Sequence, residues 1–175
     1  MKKIILSLAF LLFVGFSFAQ IRIIKPITSS ATSGTSCCGF SSYNSEALSL
    51  DIQAGKNTVI YFDKEIFDDA NAFEQSKYIA PSDGVYQFNV TIGLRIYKAS
   101  TNATQLLCNI SSNAAQSNAT LFNLPANFDK KYIGNLSAIF KLKKGEEVVV
   151  NLFNMGNAEI YTDGNFSKFS GVKLY

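Results

Sequence analysis

The stretch from Tyr86 to Ile96 most constrains what this chain can fold into. Tyr86, Phe88, Val90, Ile92, Leu94 and Ile96 are apolar at every second position, with Gln87, Asn89, Thr91, Gly93 and Arg95 between them. Successive side chains of a strand point to opposite faces, so the pattern predicts a long β-strand with one buried face. Shorter runs of strand character recur: Thr58 to Phe62 after Gly55, Leu106 to Ile110, and the alternating Leu136, Ala138, Phe140 and Leu142. Val148, Val150 and Leu152 alternate again beyond Lys143-Lys144-Gly145, and Phe169 to Tyr175 closes the chain as a strand. Pro81-Ser82-Asp83-Gly84 reads as a turn, with Pro presetting its own backbone angle and Gly accepting a positive one. No stretch carries apolar residues at the three- and four-residue spacing of a helix, and polar segments such as Ser111 to Thr120 read as loops. The expectation is an all-β chain forming a two-sheet antiparallel sandwich.

The first nineteen residues read as an address and not as structure. Lys2 and Lys3 precede an apolar run from Ile4 to Phe16, and Ser17-Phe18-Ala19 offers small residues for cleavage before Gln20. The run is shorter than the roughly 20 residues that cross a bilayer, so 1–19 is expected to be a signal peptide, with no membrane span in the mature chain. Loss of the two lysines takes the formal charge from +3 to +1, which gives no steering field for nucleic acid. Residues 20–47 are expected to be an arm or linker. Ile21 to Ile24 is strand-like, and Thr28 to Ser42 is rich in Ser, Thr and Gly without the Gly-x-y period of a collagen stalk. The folded domain is expected over 48–175.

Three cysteines in an exported chain cannot all pair internally. Cys37 and Cys38 are adjacent and Cys108 stands apart. The options are one bridge to Cys108, a crosslink between chains, or free thiols, with Cys108 as a small buried hydrophobe the plain alternative. Histidine is absent, which excludes Ser-His-Asp and Cys-His nucleophile systems and the His-Glu-x-x-His zinc helix. A zinc site would need four ligands that the chain does not supply. Asp68, Asp69 and Asn71 are rich in oxygen but lack a calcium-loop pattern, so no metal and no cofactor are expected. Glu146 and Glu147 are adjacent and point apart, and with Lys143 and Lys144 they read as a solvated turn. The Asn-x-Ser/Thr triplets at Asn89, Asn102, Asn109, Asn118, Asn135 and Asn165 are what an Asn-, Ser- and Thr-rich chain produces by chance.

Several of these residues together resemble the C1q globular domain of the C1q/TNF-like jelly-roll family. Phe62, Asp68 and Phe73 fall at the spacing of its signature, and Tyr78 stands where the family usually has Phe. The most specific part is Pro81-x-x-Gly84-x-Tyr86-x-Phe88. Leu142 to Val148, around Gly145, looks like the family's late turn, and Phe169-Ser170-Gly171 looks like its closing strand. The resemblance covers about Leu48 to Tyr175 and implies a jelly roll assembled as a homotrimer. It also implies secretion and non-enzymatic recognition of an extracellular protein or glycan through loops, with Tyr97 to Thr120 as the expected variable surface. A structural cell-surface or matrix protein, crosslinked through the Cys-containing arm, is the alternative.

Overall fold

The computed structural model describes residues 39–45, 49–74 and 76–175. Among them lie twelve strands and one 3-10 turn: β1 Gly39–Tyr43, β2 Asn57–Val59, β3 Lys64–Asp68, β4 Phe73–Glu74, β5 Lys77–Ile79 and β6 Gly84–Lys98, followed by β7 Thr104–Ser112, β8 Ser117–Leu124, β9 Lys131–Leu142, β10 Glu147–Asn154, β11 Glu159–Thr162, the turn Gly164–Phe166, and β12 Lys168–Lys173. All strand pairs are antiparallel. One sheet runs β3-β1-β12-β6-β9, with β11 taking over from β12 along the distal half of β6. The other runs β4-β5-β10-β7-β8, with β2 taking over from β5 along β10. The result is an all-β, two-sheet antiparallel jelly roll.

The long alternating strand is β6, the spine of the first sheet. Its inward residues Tyr86, Phe88, Val90, Ile92 and Leu94 are buried, and the facing residues of β9, Leu136, Ala138, Phe140 and Leu142, are buried too. From the second sheet Leu106, Cys108 and Ile110 of β7 and Val148, Val150 and Leu152 of β10 close over them. Each Val, Leu, Ile and Phe side chain among them contributes about 1.5–3 kcal/mol through removal from water.

Three expectations are corrected. Gly39–Tyr43, read as part of the arm, is an interior strand paired with β12 on one side and β3 on the other. The Ser/Thr/Gly composition concealed it because one residue, Phe40, supplies the apolar bulk, while Ser42 is buried by donating its hydroxyl to Phe169 O at 3.0 Å. Ser111 to Thr120 is not a loop but the heart of the β7–β8 hairpin, turning at Asn113–Ala115 with Ala115 at φ 60°. Its polar residues are recruited to an edge. Gln116 brackets Lys141 of β9, donating Nε2 to its carbonyl at 2.6 Å and accepting its N–H at 3.0 Å, and Asn118 donates to Ser137 O at 2.6 Å. Side-chain amides thus satisfy part of the backbone on the side of β9 away from β6, which would otherwise invite pairing by another chain. Finally, Gly84 does not have a positive φ; among the described glycines Gly55 (70°) and Gly145 (86°) do. Gly84 is extended and is small because Lys173 and the carbonyl of Tyr175 press against it.

Candidate functional site

Most residues singled out in the sequence build the core. Phe40 stacks on Tyr78 at 4.7 Å and Phe73 at 5.0 Å, and meets Phe169 edge-on at 5.0 Å. Phe62 approaches Phe169 at 5.5 Å, Phe88 lies 5.9 Å from Phe169 and 5.4 Å from Tyr78, and Tyr86 lies 5.8 Å from Tyr78. Gly171 lies beneath this cluster, where a Cβ would stand 2.6 Å from Phe40 and 2.7 Å from Phe88. Phe40, the central ring, was invisible in the sequence. No pattern announced it, and only its distance of two residues from Ser42 on a common face would have hinted at a strand.

The turn residues are equally committed. Asp68 accepts the N–H groups of Phe73 at 2.7 Å and Ala70 at 3.3 Å, and Asp69 accepts that of Gly39 at 3.4 Å, so both carboxylates are organisers of the β3–β4 loop. Tyr86 donates its hydroxyl to Ser82 O at 2.7 Å, and Asp83 accepts Lys144 N–H at 2.8 Å, which fastens the Pro81 turn to the Gly145 turn. Glu146 accepts Lys143 N–H at 2.8 Å, while Glu147 accepts from Lys77 Nζ at 2.7 Å, so the two acids serve different partners. Among the described residues no group of three or more acids or cysteines converges as a metal cage would require. Cys108 is a fully buried free thiol, and burial pushes its pKa up to about 12. Cys37 and Cys38 lie outside the described residues.

What remains for function is surface, and the outer face of the β6 sheet is its most distinctive part. At the end where β6 begins, Ile139, Gln87 and Val172 form one cross-strand row, and Leu174 is held beside Val85 by its N–H to Val85 O at 2.7 Å, with Val85 N–H donating to Tyr175 O at 2.8 Å. Ile139 is 63% exposed, Val172, Leu174 and Tyr175 are exposed at the same end, and Phe67, on β3 at the opposite edge of the sheet, is exposed beside Gly39. Apolar side chains gathered this way on one face mark a contact surface more than scattered ones would. The middle rows are polar: Ser137 donates to Asn89 at 2.8 Å, and Thr91 to Asn135 at 2.7 Å.

At the far end the face turns cationic. Tyr161, Arg95 and Lys131 make one row across β11, β6 and β9. Both cations lean on one oxygen of Asp163, Lys131 at 2.9 Å and Arg95 at 3.5 Å, with the Asp163 side chain buried. Burial alone would raise the pKa of Asp163, but the hydrogen bond and charge of Lys131, helped by Arg95, outweigh it and hold the carboxyl below its ordinary value. Beyond this row lie three connections, 99–103, 125–130 and 155–158, the first two tied by Asn127 N–H to Ser100 O at 2.8 Å. Tyr97 to Thr120, expected as the variable surface, is only partly surface; its centre is β7, whose Leu106, Cys108 and Ile110 are core.

Comparison with known proteins agrees with this architecture. The family model described as C1q domain matches residues 42–174. No curated protein matches the chain. Among solved structures, the globular domain of zebrafish complement 1qA protein is 17% identical, with a TM-score of 0.55 over 79% of this chain and 98% of that one. The Eiger TNF of S. frugiperda is 13% identical, with a TM-score of 0.53 over 80% of this chain and 94% of that one.

Proposed function

The chain belongs to the C1q domain family, and from that premise we propose that it is a secreted, non-enzymatic recognition module that works as a homotrimer. C1q domains are typically trimeric recognition modules, and their fold is not an enzymatic one. The ligand class is an extracellular protein or glycan, met by the connections 99–103, 125–130 and 155–158 and the sheet surface beside them. Export rests on the Lys2-Lys3 start, the apolar run to Phe16 and the small residues before Gln20.

One observation carries the assembly reading: the exposed apolar group Ile139, Val172, Leu174 and Phe67 on a sheet face that a solitary domain leaves wet. A cyclic trimer repeats one heterologous contact three times, so it needs two different complementary patches on each copy. The second is the side where β8 abuts β9, which exposes Leu121 and Ile133. The test is light scattering on the mature chain and on Ile139→Glu with Val172→Glu. Three protomers in the parent and one in the double variant, with thermal unfolding preserved, support the reading. A parent that is already one protomer, or a variant that stays trimeric, refutes it.

A further inference from the structure

We propose that the cation–aromatic group at the far end of the outer face is a binding site for an acidic saccharide, whose ring stacks on Tyr97 while its carboxylate or sulfate pairs with Arg95 and Lys131. The inference rests on the recognition reading above and assigns it a place and a ligand chemistry.

Tyr97 is 78% exposed, the most exposed ring within any described strand, and it meets Tyr161 edge-on at 6.2 Å. Its flat face is held by a neighbour yet covered by little, which is the state in which an aromatic ring accepts an apolar face such as the C–H side of a pyranose. Two residues away along β6, Arg95 stands in the row between Tyr161 and Lys131. Lys131 Nζ lies 5.2 Å above the centre of the Phe166 ring. Two exposed cations flanked by three rings therefore share one end of a sheet face.

The charge arithmetic favours an anion. Arg95 and Lys131 share one carboxylate, so the group retains one positive charge, and the neighbouring Lys98 and Glu159 cancel each other at 3.6 Å. The Arg95 contact, at 3.5 Å, is at the outer limit of a hydrogen bond and reaches Asp163 through a single nitrogen. A guanidinium with five N–H donors keeps most of them for a second, planar anion, which it can grip through two parallel bonds. Buried Asp163 sets both cations side by side before the ligand arrives, which lowers the ordering cost of binding.

Backbone detail keeps the place open. Gly93 lies next to Arg95 on the same face, and a Cβ there would come within 2.6 Å of Phe166 Cβ and 2.9 Å of Asp163 O. The absence of that side chain lets the turn Gly164–Phe166 dock on β6, through Asp163 N–H to Gly93 O at 2.8 Å and Gly93 N–H to the Ser167 hydroxyl at 3.1 Å. The site is about 26 Å along β6 from the apolar row at Gln87, and Ile133 of the second assembly patch borders it, two residues from Lys131 on β9. Single-stranded nucleic acid also stacks and carries charge, but it requires a positive track along the backbone, and the mature chain's formal charge of +1 supplies none.

The test is titration calorimetry of the mature chain with an oligogalacturonate (carboxylate), a heparin-derived hexasaccharide (sulfate), neutral cellohexaose, and an oligothymidylate, each at low and moderate salt. The expected result is binding of at least one acidic saccharide, about tenfold or more above cellohexaose, weakened by salt. Tyr97→Ala and Arg95→Gln should each lower that affinity about tenfold, while Lys64→Gln, at the opposite edge of the sheet, leaves it unchanged. Whichever acidic probe binds better identifies the anion. The inference is overturned if neither acidic saccharide binds at millimolar concentration, if the two site variants bind like the parent, or if oligothymidylate binds more tightly. Light scattering on the same samples separates the two readings. Intact trimers that ignore acidic saccharides refute this site alone, whereas solitary protomers refute the trimer reading beneath it.

Discussion

Gly171→Ala tests how tightly the aromatic core is packed. The added methyl group would stand 2.6 Å from Phe40 Cε1, 2.7 Å from Phe88 Cδ1 and 3.0 Å from Phe88 Cε1, all well inside ordinary contact. Neither ring can retreat freely. Phe40 is stacked between neighbours at 4.7 and 5.0 Å, and Phe88 has Phe140 at 6.0 Å and Phe169 at 5.9 Å. Overpacking of a filled core costs about 1–3 kcal/mol, and a site walled by rings belongs at the upper end, about 3 kcal/mol. For a domain of this size that is a fall of about 6–12 °C in Tm. Urea unfolding followed by tyrosine fluorescence measures it, with Gly39→Ala as the control because the nearest atom to its new Cβ is 3.4 Å away.

The same substitution, paired with Phe40→Ala, makes a double-mutant cycle. Phe40→Ala alone should cost about 3–5 kcal/mol. Removing that ring also removes the clash, so the double variant should be less destabilised than the sum by at least about 1 kcal/mol. A Gly171→Ala protein within about 0.5 kcal/mol of the parent, or an additive cycle, would refute the packing argument and with it the place of Phe40 at the centre of the core.

Three further outcomes follow from individual sites. Gly145→Ala should lose about 1–2 kcal/mol in urea unfolding through backbone strain alone, since φ is 86° with no atom near the new Cβ, and Gly145→Asn should lose less. Cys108 should resist alkylation in the native state. Its folded pKa of about 12 stands above the ordinary 9.0, so the unfolded thiol ionises first and stability falls as pH rises through that window. Stability curves of the parent and Cys108→Ala should diverge there by at most about 1.4 kcal/mol per pH unit. Asp163→Asn should remove part of the acid sensitivity. The depressed carboxyl pKa gives stability that is present above about pH 4 and is lost as pH falls through the folded value, so acid unfolding of the variant should show a shallower limb.

The parts of the fold legible in the sequence are those where one strand face carries apolar bulk at every second residue. β6, β9 and β10 do so, and their inward sets were readable without any partner. β1 and β8 were not. β1 earns its place through one ring and a buried serine hydroxyl, and β8 buries only Phe122 and Leu124 at its far end while Asn118 and the preceding Gln116 bond the neighbouring edge, so neither leaves a long apolar period. Gly84 misled for a related reason: a Gly after Asp signals a turn, whereas here it makes room for Lys173. The cationic end of the sheet was beyond sequence reading altogether. Arg95, Lys131 and Asp163 are separated by up to 68 residues, and only the strand register brings them to one place.

Sedimentation equilibrium of the mature chain, Gln20 to Tyr175, with and without reductant, tests the central claim most directly. A C1q-type recognition module held by its apolar sheet face should weigh three protomers in both conditions. A single protomer in both would contradict the trimer, and a larger species that falls to single protomers in reductant would show that cysteine crosslinks, not the sheet face, hold the copies together.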